Sequence, residues 1–359
     1  MAGFMTDVYT YDALANKYGN FQVPAFELCI NGRDAVNELN LSVLSMDVSL
    51  SGTEASTAVI RLGGVYDPEK RSFDSKVKNK FRLGTIVEIG IGYLSEIRKV
   101  LKGFVAVLGA EFSEEACLVV TIMDVRRLMM INGTHHKLYD VKNYSDAVRS
   151  VLGEYSKLCR ADIDATSDNL DRPLSQQSTD YDFITKELIG KGLCEREFLV
   201  VGDTAYFRRP RKETRPVCSL EYGRELWSFQ MECSYVDLEI EVTGYNQEEQ
   251  KSYIGKAKAR SREPISSLWA RTPVSNIIDE EADSQNKVNA RAQIFANMQM
   301  ADGQNGRGTC VGLPELVPGR FVEVSKLEAM ANRKYYLKRV NHRINEEGFI
   351  TEFETGGWA

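Results

Sequence analysis

The sequence predicts a mainly β chain in which two β-barrel units flank a small α+β domain. Three observations carry this reading. Residues 21–125 and the stretch from 216 onward are dominated by short runs with a period of two, the alternation that lays one face of a strand on a core. Between them, from about Met130, apolar residues fall at helical spacing. Turn punctuation (Gly63-Gly64, Asp67-Pro68, Gly103) separates the runs. The expected division is 1–128, 129–215 and 216–359.

In the first unit Leu44, Met46, Val48 and Leu50 alternate with Ser45, Asp47 and Ser49, and Val87, Ile89, Ile91 and Tyr93 alternate with Glu88, Gly90 and Gly92. Phe21–Ile30, Phe104–Leu108 and Leu118–Met123 complete a set of strands whose spacing suits a barrel or sandwich. The middle unit opens with a helix capped by Asn143 or Ser145, with Val148, Val151, Leu152 and Tyr155 on one face. A second helix starts at Thr179 or Asp180, carries Tyr181, Ile184 and Leu188, and closes at Gly190 or Gly192. Two strands, Phe198–Val201 and Thr204–Phe207, turn at Gly202-Asp203.

In the third unit Val236, Leu238, Ile240 and Val242 alternate with Asp237, Glu239, Glu241 and Thr243, which gives one buried and one acidic face. Residues 255–278 read as a basic, irregular excursion. A helix is expected near 279–300, with Asp279, Glu280 and Glu281 at its positive end. A glycine-rich loop, Gly303–Gly312, then leads to strands at Arg320–Val324, Tyr335–Ile344 and Phe349–Phe353.

Composition narrows the function classes. With 43% hydrophobic and 27% charged residues, the 359-residue chain is ordinary globular protein, neither disordered nor a bare coiled coil. Its 45 basic and 51 acidic residues leave a net charge of −6, which argues against bulk electrostatic capture of nucleic acid or an anionic membrane. No run approaches the ~18 apolar residues of a membrane helix. The opening MAGFMTDVYTYDALANKYGN lacks the basic and apolar regions of a secretory signal, so cytoplasmic synthesis is expected. Seven scattered cysteines, none at C-x-x-C spacing, read as reduced thiols in apolar strands.

The chemistry search points away from an enzyme. No phosphate loop, zinc-binding H-E-x-x-H or nucleophile elbow is present. Gly90 and Gly92 lie in a strand and read as close-packing positions. His135-His136 sit beside Asn132-Gly133, where a polar turn is expected over a metal site; His342 reads as a structural hydrogen-bonding group. Arg208–Lys212 reads as a solvated loop, and Trp227 with Phe229 as core. Asp237, Glu239 and Glu241 are the best-ordered carboxylates and fit a solvated or channel-facing surface. No cofactor, metal or catalytic residue is expected.

Three stretches together resemble a family. QQSTDYDFITKELIGKGLCEREFLVVGDTAYF (Gln176–Phe207) is similar to a polar lead-in, aromatic-rich helix start, glycine exit and hairpin found in baseplate hub proteins of contractile phage tails and injection systems. That group includes the late control protein D family and the hub portion of the VgrG spike. GLPELVPGRFVEV (Gly312–Val324) with YYLKRVNHRINEEGFITEFE (Tyr335–Glu354) matches its Pro-Gly strand entry, Tyr-Tyr strand, His, and Gly-aromatic-x-Thr ending. FELCINGRDAV (Phe26–Val36) with GTIVEIGIGY and Lys102-Gly103-Phe104 is a third match.

The resemblance covers about 20–357 and implies two tube-protein-like β-barrels per subunit. It further implies a homotrimer forming a pseudo-sixfold ring between a hexameric inner tube and a trimeric spike, among other baseplate proteins. The helix near 279–300 would flank the second barrel, and Asp237, Glu239 and Glu241 would face the lumen. No repetitive spike follows Gly356-Gly357-Trp358-Ala359, so the spike is expected as a separate chain. The particle would be a phage tail, a tail-like bacteriocin or an injection system, without membrane or specific nucleic-acid binding. Two rivals are a tail-associated peptidoglycan hydrolase and a carbohydrate-binding module using Trp227 or Trp269.

Overall fold

The structure is a computed structural model and describes residues 3–133, 136–261 and 263–358. The first unit runs α1 (Tyr11–Lys17), β1 (Pro24–Ile30), β2 (Arg33–Asp34), α2 (Ala35–Leu39), β3 (Ser42–Ser51), β4 (Thr57–Gly63), β5 (Tyr66–Asp67), β6 (Ser72–Phe73), α3 (Ser75–Lys80), β7 (Ile86–Tyr93), β8 (Glu96–Glu111) and β9 (Cys117–Met123). The middle unit has α4 (Val125–Ile131), β10 (Lys137–Tyr139), α5 (Tyr144–Gly153), β11 (Arg160–Ile163), β12 (Leu174–Gln176), α6 (Asp180–Asp182), β13 (Glu197–Val201) and β14 (Thr204–Arg208). The third has β15 (Pro216–Glu221), β16 (Leu226–Cys233), β17 (Asp237–Asn246), β18 (Lys251–Arg260), β19 (Val274–Ile278), α7 (Gln285–Asp302), β20 (Gln304–Val311), β21 (Phe321–Ser325), β22 (Lys334–Asn345) and β23 (Gly348–Trp358).

The chain is mainly β with an α+β insert, and its two barrel-type halves share one thirteen-stranded sheet. The path β16-β20-β23-β22-β3-β4-β9-β8-β7-β1-β2 crosses from one half to the other where β22 pairs antiparallel with β3. Met46, Val48 and Leu50 of β3 and Val340 and Ile344 of β22 are buried together in a core drawn from both halves.

The two halves are copies in register. β3, β4, β7, β8 and β9 correspond in order to β16, β20, β21, β22 and β23, and two ladder irregularities coincide, while a slip at Val100 in β7·β8 and one near Tyr336 in β22·β23 belong to one copy alone. β3·β4 slips at Leu44 and β16·β20 at Trp227; β8·β9 slips at Ala106 and β22·β23 at Lys338. The corner entering β7 and β21 is repeated too. Gly84 and Gly319 hold φ of +83° and +87°, donate to Val105 O (2.9 Å) and Leu337 O (3.0 Å), and each precedes x-apolar-Val-Glu. Glu88 then faces Lys102, as Glu323 faces Lys334. The copies part company at β1, antiparallel to β7, and β15, parallel to β21.

Where β3 turns into β4 over Ser51–Ser56, the second copy opens into residues 234–303. This stretch folds as a three-stranded sheet, β18-β17-β19, carrying α7. The excursion expected at 255–278 therefore belongs to this sheet at both ends, in the strands Lys251–Arg260 and Val274–Ile278, while the described residues between them lie in no strand or helix. Its alternation is carried by Gly255, Ala257 and Ala259, because α7 lies close; a Cβ on Gly255 would stand 2.3 Å from Val288 C. The helix begins at Gln285 rather than 279, following Ser284 in extended conformation, and Asp279 instead pairs with Arg291 at 2.9 Å. The expected glycine-rich loop is strand β20, where Gly308 leaves room for the Phe353 ring, 2.4 Å from where its Cβ would be.

The insert builds its own core around Val148, Val151, Leu152, Tyr181, Ile184 and Phe207. Asn143 caps α5 by accepting from Asp146 N (3.0 Å), and Thr179 caps α6 by accepting from Asp182 N (3.1 Å). α6 runs on as a wide turn, Phe183–Gly190, closed by an i→i+5 bond from Lys191 N to Lys186 O (3.0 Å). The insert is pinned to both halves. Lys102 N donates to Gly202 O at 3.1 Å, while Arg208 bonds Gly319 O at 2.6 Å and Glu197 at 2.8 Å. Arg208 is thus buried, which corrects its reading as part of a solvated loop; Arg209 and Lys212 are exposed.

Candidate functional site

Of the residues singled out for chemistry, His342 and the strand glycines have structural roles. His342 is wholly buried between Thr351 Oγ1, 3.0 Å from Nδ1, and Leu316 O, 3.2 Å from Nε2. Desolvation pushes its pKa down to about 3, so the ring is neutral at pH 7. His136 is exposed, whereas its neighbour His135 lies outside the described residues. Among the described residues no group of three or more His, Cys, Asp or Glu is placed to hold a metal. Six of the seven thiols are buried and free; Cys233, on β16, is the exposed one. Among the described residues no helix is long and apolar enough to cross a membrane.

Gly90 and Gly92 are close-packing positions, as read: added Cβ atoms would meet Ile97 Cγ2 at 2.5 Å and Glu96 O at 2.0 Å. A cleft of about 1060 Å³ separates the insert from α7. Its wall includes Lys287, which pairs with Asp283 (2.7 Å), and Arg291, which pairs with Asp279.

Asp237, Glu239 and Glu241 share the face of β17 turned away from α7, since Ile240 and Val242 point the other way into the core beneath the helix. Their counterions are hidden in the sequence, because the part of β18 from Gly255 on has the texture of an irregular segment. In the β17·β18 register Asp237, Glu239 and Glu241 stand opposite Arg260, Lys258 and Lys256. Lys256 Nζ reaches Glu239 at 3.1 Å and Glu241 at 2.6 Å. The face is therefore a ladder of alternating sign, and it runs into exposed apolar residues at Ile254 and Ile278.

The surfaces that sequence reasoning missed are sheet edges. β7 pairs with β8 only as far as Phe104, so Val107–Glu111 has a partner, β9, on one side alone. At the far end of the path β16 pairs with β20 and with no other strand among the described residues. Apolar side chains gather beside these edges: Val107 is 51% exposed, Phe112 66% and Trp227 50%. The exposure of Trp227 corrects its reading as core; it sits in the ladder slip equivalent to that of Leu44, which is also exposed. The repeated Gly-x-apolar-Val-Glu corner was the signal that could have revealed these edges as equivalent to the buried β22·β3 joint.

The fold is that of solved tail proteins. The tail protein from Neisseria meningitidis MC58 aligns over 93% of this chain and 97% of its own, with a TM-score of 0.68 at 12% identity. The 43 kDa tail protein of prophage MuSo2 from Shewanella oneidensis aligns over 92% and 97%, with a TM-score of 0.67 at 11% identity. A component of the E. coli type VI secretion system, described as structurally similar to the T4 bacteriophage tail proteins gp27 and gp5, aligns over 93% of this chain and 77% of its own (TM-score 0.60, 11% identity). No curated protein sequence matches the chain. The family model described as the Alg8 N-terminal domain matches residues 20–346, nearly the whole length, and the chain belongs to that family.

Proposed function

We propose that the chain is a structural baseplate hub of a contractile tail or injection particle and has no enzymatic activity. In this reading it assembles as a homotrimer, joins a hexameric inner tube to a separate trimeric spike, and contacts other baseplate proteins. It would be made in the bacterial cytoplasm and incorporated into the particle. The observation that carries the reading is the duplication. Each chain supplies two copies of one β unit, side by side in a single sheet and sharing two ladder slips at equivalent positions. Three such chains present six near-equivalent units to a sixfold partner while keeping threefold symmetry towards a threefold one. The rival readings, a hydrolase or a glycan-binding module, do not explain that arrangement. The likeness to tail proteins and to a type VI secretion component supports the same reading at the level of fold.

Two further parts belong to the proposal. The chain is divided functionally near residues 128 and 215, so that the insert is a separate module. The face bearing Asp237, Glu239 and Glu241 lines the lumen; reversing all three charges with assembly and cargo passage unchanged counts against that. The hub reading is tested by light scattering on the purified chain, alone and mixed with its tube protein. A mass about three times 40.4 kDa, alone or on adding tube, is expected. A monomer under both conditions rejects it.

A further inference from the structure

We infer that the outer half of β8 of one chain adds, antiparallel and edge to edge, to β16 of the next, in the register that β22 and β3 already use within the chain. This rests on the trimer reading above and names the surface through which it closes.

The argument starts from the duplication. β22 divides its edge between two partners: its first residues pair with β21, and Arg339–Ile344 pair with β3. β8 is built the same way. Its first half pairs with β7, but the residues beyond the slip at Ala106 have no strand beside them on that edge among the described residues. β3 is the first strand of its copy, and β16 is the first strand of the other. The chain thus contains one joint of fourth strand to first strand, already made, and both halves of a second, unmade.

Strand direction permits the closure. From β16 through β20, β23, β22, β3, β4 and β9 to β8 every pairing is antiparallel. That path has eight strands, an even number, so its first and last run in opposite directions. Any cyclic arrangement that brings β8 beside the neighbour's β16 continues the alternation, and such a heterologous contact closes when the rotation does.

The two slips fix the register. Matching Ala106 to Lys338 sets Leu108, Ala110 and Phe112 on Val340, His342 and Ile344. Matching Trp227 to Leu44 sets Phe229, Met231 and Cys233 on Met46, Val48 and Leu50. The two matches agree with each other, because both equate Ala58·Ile122 with Gly306·Thr355. Within the chain Val340 faces Leu50, His342 faces Val48 and Ile344 faces Met46. Between chains Leu108 therefore faces Cys233, Ala110 faces Met231 and Phe112 faces Phe229.

Burial points the same way. All six positions of the made joint are buried. At the unmade one Cys233, Ala110 and Phe112 are exposed, and Leu108, Met231 and Phe229 are half-buried. An open edge flanked by apolar side chains is an aggregation hazard unless something pairs with it. On the opposite face Glu111 meets Gln230, which can donate to it, and Arg61 already pairs with Glu111 at 3.1 Å.

Cys233 makes the register directly testable. Residues facing each other across an antiparallel pair have Cα atoms about 4.5–5.5 Å apart, within disulfide reach. Full-length Leu108→Cys protein, with its mass measured under the same conditions, is oxidised with copper–phenanthroline and run on a non-reducing gel. Most of the monomer band is expected to move to disulfide-linked dimer and trimer, and Cys233→Ser should abolish this. Ala110→Cys and Val107→Cys, out of register with Cys233, should give little. If Leu108→Cys unfolds, Ala110→Cys with Met231→Cys in a Cys233→Ser background probes the same ladder. A trimer without Cys233-dependent linkage at 108, or linked more strongly at 107 or 110, overturns the strand pairing and leaves the trimer standing. A chain that stays monomeric even with tube overturns both.

Discussion

The two copies of the β unit differ less in their strands than in what covers them. β22 and β8 share a slip, a glycine corner and a Glu–Lys pairing at their entry. Past the slip, one is sealed against β3 and the other lies open. Apart from His342, which stands where Ala110 does, apolar residues occupy equivalent positions in both, yet only in the sealed copy are all these positions removed from water. The pattern of a strand therefore records that it has a partner without recording whether the partner belongs to the same chain. The ends of the copies diverge more freely: the first closes its β3–β4 turn tightly, while the second carries a sheet and a helix there. The tight turn is held by Arg126, whose Nη2 lies 2.6 Å from Asp124 and 2.8 Å from Ser56 Oγ, and whose Nη1 lies 2.8 Å from Ser51 O.

The largest effect should come from breaking the sealed joint. Ile344→Asp places a carboxylate opposite Met46 in the shared core, where an unpaired charge costs about 3–5 kcal/mol. Denaturant titration should show the midpoint collapsing towards zero, since that is much of a typical domain's stability. A midpoint within error of the parent would mean that the two halves are not sealed there.

His342 occupies, in the same joint, the position that Ala110 holds at the open edge. The folded chain keeps the ring neutral, with its pKa down to about 3, because burial excludes the charged form. The unfolded chain takes up a proton near the usual value of about 6.5. Its contribution to stability is therefore intact above about pH 6.5 and is lost as pH falls from there towards 3. Between pH 6.5 and 4.5 the loss should be about 2–3 kcal/mol. Carboxylates titrate in the same range, so the share due to His342 is read by difference from His342→Gln, whose stability should fall less steeply. Parallel pH profiles for the two proteins would remove the buried neutral ring from the account.

The glycine corners sharpen the comparison further. Both need a left-handed backbone, so Gly84→Ala should cost only the strain of that conformation, about 1–2 kcal/mol, because nothing lies within 4 Å of its added Cβ. At Gly319 the same Cβ meets Arg208 Nη2 at 2.9 Å and Leu199 Cδ2 at 3.0 Å. Arg208 is held by Glu197 and by Gly319 O itself, so it cannot swing clear. Gly319→Ala should cost about 1–3 kcal/mol more than Gly84→Ala. Equal costs would show that the insert does not press on the second corner.

Much of this frame was legible in the sequence, and the misses share a cause. Where side chains fill the core, as Met46, Val48 and Leu50 do on β3, a period of two marks the strand. Where a neighbour fills it, the inward positions shrink and the period fades. β18 turns Gly255, Ala257 and Ala259 inward because α7 presses close, and β20 turns Gly306 and Gly308 inward to admit Phe229 and Phe353. Both read as irregular or as loop. The acidic run on β17 was visible, but the basic strand that neutralises it was hidden by the same effect. The helix start was misplaced because Asp279 looked like a dipole partner and is instead an ion-pair partner of Arg291.

The smallest effect on the isolated chain should come from Phe112→Asp, the open-edge counterpart of Ile344→Asp. Phe112 is 66% exposed and rests only edgewise on Tyr66, with ring centroids 5.5 Å apart, and at a tilt on Phe73, at 5.8 Å. A carboxylate there stays in water, so the midpoint of the monomer should shift by about 0.5 kcal/mol or less, plus what the lost ring contacts contribute. The same substitution at the sealed position should be several times more costly, although backbone, register and strand order are alike. If Phe112→Asp were as damaging to the monomer as Ile344→Asp, the edge would have to be covered within a single chain, and the contrast between sealed and open copies would fail. If it spares the monomer but lowers its association, the residue is exposed in the single chain and buried in the assembly. That would make the sealed joint within one chain the pattern for the contact between two.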